Sequence, residues 1–70
     1  MNLQAIFEIE FYPGHGFLDY SREPVKSVDE AKMKAHRLAV RKARPVKVRV
    51  EDWDSPHPHS RETFGPFFGS

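Results

Sequence analysis

The stretch that decides the fold is Ser27-Val28-Asp29-Glu30-Ala31-Lys32-Met33-Lys34-Ala35-His36-Arg37-Leu38-Ala39-Val40-Arg41-Lys42-Ala43-Arg44-Pro45. Its first four residues match a capping box, in which the Ser27 side chain accepts the Glu30 N–H and the Glu30 carboxylate reaches back. Asp29 and Glu30 sit at the positive end of the helix dipole, and Arg41, Lys42 and Arg44 at the negative end. Pro45 cannot continue the helix. These signals predict one helix over residues 27–44. At roughly 100° per residue, Val28, Ala31, Ala35, Leu38, Ala39 and Ala43 fall on one side. That alanine-rich face suits close approach to a sheet, with Leu38 its largest side chain. The opposite side carries Glu30, Lys34, Arg37, Arg41 and Arg44. Glu30 and Lys34 stand in the favourable i,i+4 order, whereas the three arginines have no acidic partner at i±3 or i±4 within the helix. Met33 and Val40 flank the arginine stripe.

The flanking segments supply the sheet. Leu3, Ala5, Phe7, Ile9 and Phe11 alternate with Gln4, Ile6, Glu8, Glu10 and Tyr12, the period of two of a half-buried strand. Pro13-Gly14-His15-Gly16 is a turn signal, so residues 17–20 can return as a short second strand and residues 21–26 connect to the helix. Val46, Val48 and Val50 alternate with Lys47, Arg49 and Glu51, a third strand with room to run on to Trp53. The expectation is an α+β fold: a small antiparallel sheet of three strands, or four with an edge strand near Thr63, in order 2-1-3. The helix packs on one face (ββαβ). Residues 1–54 make this domain. Residues 55–70 follow as a Pro/His linker and an aromatic C-terminal tail packed on the domain, with Phe64, Phe67 and Phe68 expected to fold back over Met33 and Val40.

A chain of 70 residues with no cysteine has one core and no disulfide or thiolate metal site to reinforce it. Its composition suits a cytoplasmic protein, and no apolar run approaches the length of a membrane span. The net charge of +1 hides an asymmetry. Nine of the eleven basic side chains lie in residues 26–49, against Asp29 and Glu30 alone, and each end of the chain is acidic. Charge confined to one element reads as a local contact surface rather than a global attraction to nucleic acid.

The residues argue against catalysis. The serines occupy a cap, loops and the terminus, and none sits in a nucleophile motif. Gly14-His15-Gly16 is a hairpin turn without a helix directly behind it, so it is no phosphate cradle. Asp52, Asp54, His57 and His59 are four potential ligands in eight residues. Their spacing matches no zinc pattern and the intervening prolines splay them, so neither metal nor cofactor is expected.

The leading expectation is therefore a non-enzymatic protein-binding module, an adaptor or inhibitor. It would meet an acidic patch of a larger protein through Lys34, Arg37, Arg41 and Arg44, with Met33 and Val40 beside them. Chains of this size and type recur among bacterial and phage accessory proteins, an expectation that rests on size alone. The alternative is nucleic-acid binding through the same helix, favoured by the basic middle segment and opposed by the acidic ends. Self-association as a homodimer is a third possibility.

Overall fold

In the computed structural model, which describes residues 3–52 and 61–69, the alternating apolar run forms strand β1 (Leu3–Ile9). It is followed by β2 (Leu18–Val25), helix α1 (Val28–Lys42), β3 (Val46–Asp52) and β4 (Arg61–Phe67). The four strands form one sheet in the order β2-β1-β3-β4, and every neighbouring pair is antiparallel. The fold is α+β with one helix on one face. The expected order 2-1-3 is contained in it, and the edge strand allowed for near Thr63 is present as β4 beside β3, so the element order is ββαββ rather than ββαβ.

Alternation on β1 and β3 sets the core. Ala5, Phe7 and Ile9 pair in register with Val50, Val48 and Val46, and all six are buried against Ala31, Ala35 and Ala39 of the helix. Every fourth residue from Ala31 to Ala39 is thus a methyl group facing a valine-rich surface, which lets the backbone of the helix lie close to the sheet. Leu38 and Val28 are only partly buried and pack at the margin of this cluster. Leu38 is therefore not the centre of the helix contact: the close approach enforced by the alanines turns it sideways.

Two segments differ from the sequence reading. Residues 21–26 were expected as a connection, yet β2 runs through Glu23 and Pro24 to Val25, in register with Ala5, Gln4 and Leu3. A proline is tolerated because β2 is an edge strand, where a missing N–H need not face a neighbour. Val25 is buried, closing that end of the core. Tyr20 has no partner on β1, because the register shifts between the Phe7–Ser21 and Glu8–Asp19 pairs. The bulge sends the Tyr20 ring toward Phe11, 6.3 Å between centroids.

The aromatic tail is the second difference. It does not cover Met33 and Val40, which remain about half exposed at 52% and 55%. It becomes β4, because the open edge of β3 presents backbone groups that a strand can pair. That pairing sets Phe64 opposite Val48 and Phe67 opposite Val46, and both rings pack at the edge of the core. Lys32 Nζ lies 4.5 Å from the Phe64 ring centroid, and His36 tilts against Phe67 at 6.4 Å. Gly69 then passes so close to the helix that a Cβ there would stand 2.0 Å from the carbonyl oxygen of Ala39. The tail thus occupies the flank of α1 carrying Lys32 and His36.

The helix ends are close to those expected. Ser27 Oγ accepts from the Glu30 N–H at 3.1 Å, while the Glu30 carboxylate accepts from Lys26 N–H at 3.3 Å, one residue before the Ser27 amide. At the other end the helix stops at Lys42, ahead of Pro45. Ala43 adopts the left-handed conformation (φ 53°), and the N–H groups of Ala43 and Arg44 donate to Val40 and Ala39 carbonyls. This is a Schellman ending, and it removes Ala43 from the apolar face to an exposed cap.

Two stability tests follow from this packing. Ile9 is fully enclosed, so Ile9→Ala should cost about 2–5 kcal/mol, and Leu38→Ala distinctly less. Urea denaturation showing the reverse order would contradict the packing described. Ala43→Gly should raise stability by about 0.5–1 kcal/mol, since glycine adopts positive φ without a Cβ clash.

Candidate functional site

The sequence proposed six side chains on α1 and its C-terminal end as one contact surface: Met33, Lys34, Arg37, Val40, Arg41 and Arg44. The fold divides them into two groups. Met33, Arg37 and Val40 lie on the arc pointing away from the sheet, with Arg41 turned toward β2, and all four are exposed. Among the described residues neither Arg37 nor Arg41 forms an ion pair. Lys34 and Arg44 are engaged internally.

Lys34 Nζ donates to Glu23 Oε1 of β2 at 2.5 Å. Its i,i+4 partner Glu30, the one legible in the sequence, is only at 3.9 Å. The pKa of Lys34 is raised above its ordinary value of 10.5, first because its ammonium donates to the Glu23 carboxylate. Glu23 and Glu30 add attraction, while desolvation and the Arg37 charge oppose the rise. Arg44 donates to the carbonyl oxygen of Phe11, and its guanidinium lies 5.7 Å from the Phe11 ring centroid. It ties the end of the helix to the end of β1.

A cleft opens between α1 and β2 beside the unpaired arginines. Its floor is Phe7 and Leu38, and its β2 wall is formed by Tyr20, Ser21 and Glu23. Lys34, Arg37 and Arg41 form the helix wall, around a volume of about 310 Å³. The sequence reading missed the β2 wall because it ended the second strand at Tyr20. Residues 21–26 carry no apolar alternation, and Pro24 argues against a central strand, so no local signal marked this wall.

The hairpin end of the molecule interleaves rings and cations. Lys42 Nζ stands 5.5 Å from the Tyr20 centroid, and Lys47 Nζ 4.4 Å from that of Phe17. Tyr12 is exposed there and meets His15 edge-on at 6.0 Å. On the sheet face away from α1, Glu8 lies opposite Lys47 in register, and Arg49 reaches Glu8 at 3.4 Å. Glu51 joins the same chain of charges through Arg49 at 4.0 Å and extends it to Arg61 at 3.0 Å. Opposite charges across strands make this a self-matched surface.

Asp54, His57 and His59 of the weighed metal cluster, together with Trp53, lie outside the described residues. Among the described residues, no three potential metal ligands come together, and no helix is long and apolar enough to cross a membrane.

The Lys34–Glu23 link has a definite pH signature. A cation whose pKa is raised on folding contributes stability that is fully present below its unfolded pKa. That contribution is lost as pH rises through the higher folded value. Glu23→Gln should therefore be less stable than the wild type at neutral pH, and the gap should narrow once pH passes 10.5. A gap independent of pH, in paired urea titrations, would refute this linkage.

Comparison with protein-family models, with characterised proteins and with solved structures finds no match, so the functional reading rests on the chemistry of this helix and its cleft.

Proposed function

We propose that the chain is a non-enzymatic protein-binding module that meets an acidic surface of a larger protein through α1. The observation that carries this reading is the pairing of two exposed, unpaired guanidinium groups with two half-exposed apolar side chains on one helix face. Arginine and methionine are enriched at interfaces because each combines a large contact area with adaptable geometry. Arg37 and Arg41 would supply charge complementarity, which chiefly sets encounter rate and partner choice. Met33 and Val40 would supply the desolvated area. Lys34 and Arg44 sit at the margins, holding the helix to Glu23 and to Phe11 while adding to the positive field.

Single-stranded nucleic acid is the second reading, favoured by the rings and cations at the hairpin end, since aromatic faces beside basic groups stack unpaired bases. Against it, Tyr20 and Phe17 are already faced by Lys42 and Lys47 from within the chain.

The two readings separate in one set of measurements. A tagged copy should recover a dominant acidic protein from lysate. Arg37→Glu and Arg41→Glu should each abolish that recovery while leaving the circular dichroism spectrum and melting transition intact, because both side chains are exposed. Recovery that survives both reversals would remove α1 as the contact site. Binding of a random oligonucleotide at low salt, weakening steeply as salt rises, would favour nucleic acid instead.

A further inference from the structure

The cleft between α1 and β2 has a chemistry of its own. The helix packs over β3 and leaves the β2 side of the sheet uncovered, so the half-buried Leu38 and the edge of the largely buried Phe7 ring form an apolar floor with an open roof. Above the floor the helix wall carries three cations. Lys34 is already matched by Glu23 at 2.5 Å, which leaves Arg37 and Arg41 as the uncompensated charges. They stand one helical turn apart, a Cβ separation of about 5–6 Å, from which two guanidinium groups can converge on one oxyanion. Tyr20 and Ser21 line the opposite, β2 wall.

We propose that this cleft takes one Asp or Glu side chain of the acidic partner together with an adjacent apolar side chain. The apolar group lies on Phe7 and Leu38, and the carboxylate lies between Arg37 and Arg41. The inference rests on the protein-binding reading above and deepens it by naming what the partner presents. Glu23 on the opposite wall disfavours a second negative charge, so the cleft suits a monoanionic carboxylate better than a phosphate. Its volume of about 310 Å³ lies at the lower end of the range for ligand pockets, about 300–1,000 Å³. A ligand of about ten non-hydrogen atoms, at ordinary efficiency per atom, binds with a Kd on the order of millimolar. That is weak for a free metabolite but sufficient for one anchor in a wider interface that also covers Met33 and Val40.

Phenylacetate is the probe, being one ring and one carboxylate, and phenylacetamide is its neutral isostere. Titrated into ¹⁵N-labelled protein at low salt, phenylacetate should shift the amides of Ser21, Leu38 and Arg41, saturating in the millimolar range. Phenylacetamide should shift them far less. Arg41→Gln should weaken phenylacetate several-fold. Ser21→Phe should abolish the shifts by filling the cleft, while an exposed strand position that favours aromatic residues keeps the fold. Equal shifts with the neutral isostere, or undiminished binding to Ser21→Phe, would overturn the proposal. If phenylacetate fails while Arg37→Glu still loses the lysate partner, the cleft fails and the helix-face reading stands. If phenylacetate binds as expected but Arg37→Glu and Arg41→Glu retain the partner, the cleft binds carboxylates and the helix-face reading falls, taking the assignment of the cleft to that partner with it.

Discussion

Three alanine side chains govern this structure. Ala31, Ala35 and Ala39 are fully buried against the valines of β3 and their neighbours on β1. With methyl groups alone at the contact, α1 sits nearer the sheet than a leucine-faced helix would. Close approach brings the helix backbone within reach of the tail at Gly69. It also turns Leu38 to one side and leaves no depth beneath the helix for a polar group. Among the described residues, no polar or charged side chain is buried.

Geometry then explains the asymmetry of the two helix flanks. Four strands at a spacing of about 4.8 Å make a sheet wider than one helix of about 10 Å diameter can cover. Seated over β3, α1 needs help on both sides. On the β4 side Phe64 and Phe67 fill the gap, with Lys32 and His36 resting on their rings. On the β2 side the cover is sparser: the Lys34–Glu23 link bridges across and the Tyr20 bulge closes one end, and between them the cleft stays open. The cleft is thus a consequence of the narrow helix and of the side on which the tail chose to pair.

Charge is distributed in the same way. The outer face of the sheet matches its own charges through Glu8, Arg49, Glu51 and Arg61, and the helix ends match theirs through the caps and through Arg44 on Phe11. Within α1, Lys34 is paired with Glu23, and Lys32 and Lys42 lie on the Phe64 and Tyr20 rings, while Arg37 and Arg41 have neither kind of partner among the described residues and stand beside the exposed Met33 and Val40.

Local chemistry decided much of this before any tertiary contact formed. The capping box at Ser27, the alanine period, the alternation on β1 and β3, and the confinement of positive charge to one element depend only on neighbours a few residues apart. For that reason the helix, the two central strands and the arginine stripe were legible in the sequence. Long-range pairing decided the rest. β2 extends through Pro24 because it became an edge, where a lost N–H costs nothing, and no local signal says which strand will be an edge. The tail became β4 because β3 offered an open row of backbone groups. Ala43 left the core face because the helix ended in a left-handed residue that closes its last carbonyls. Lys34 chose Glu23 over Glu30 because the sheet brought β2 beside the helix, which sequence spacing cannot express. The sequence alone therefore settled which face of α1 is structural and which is charged; only the tertiary structure decided which of those charges remain free, because that depends on what the strands carry to its sides.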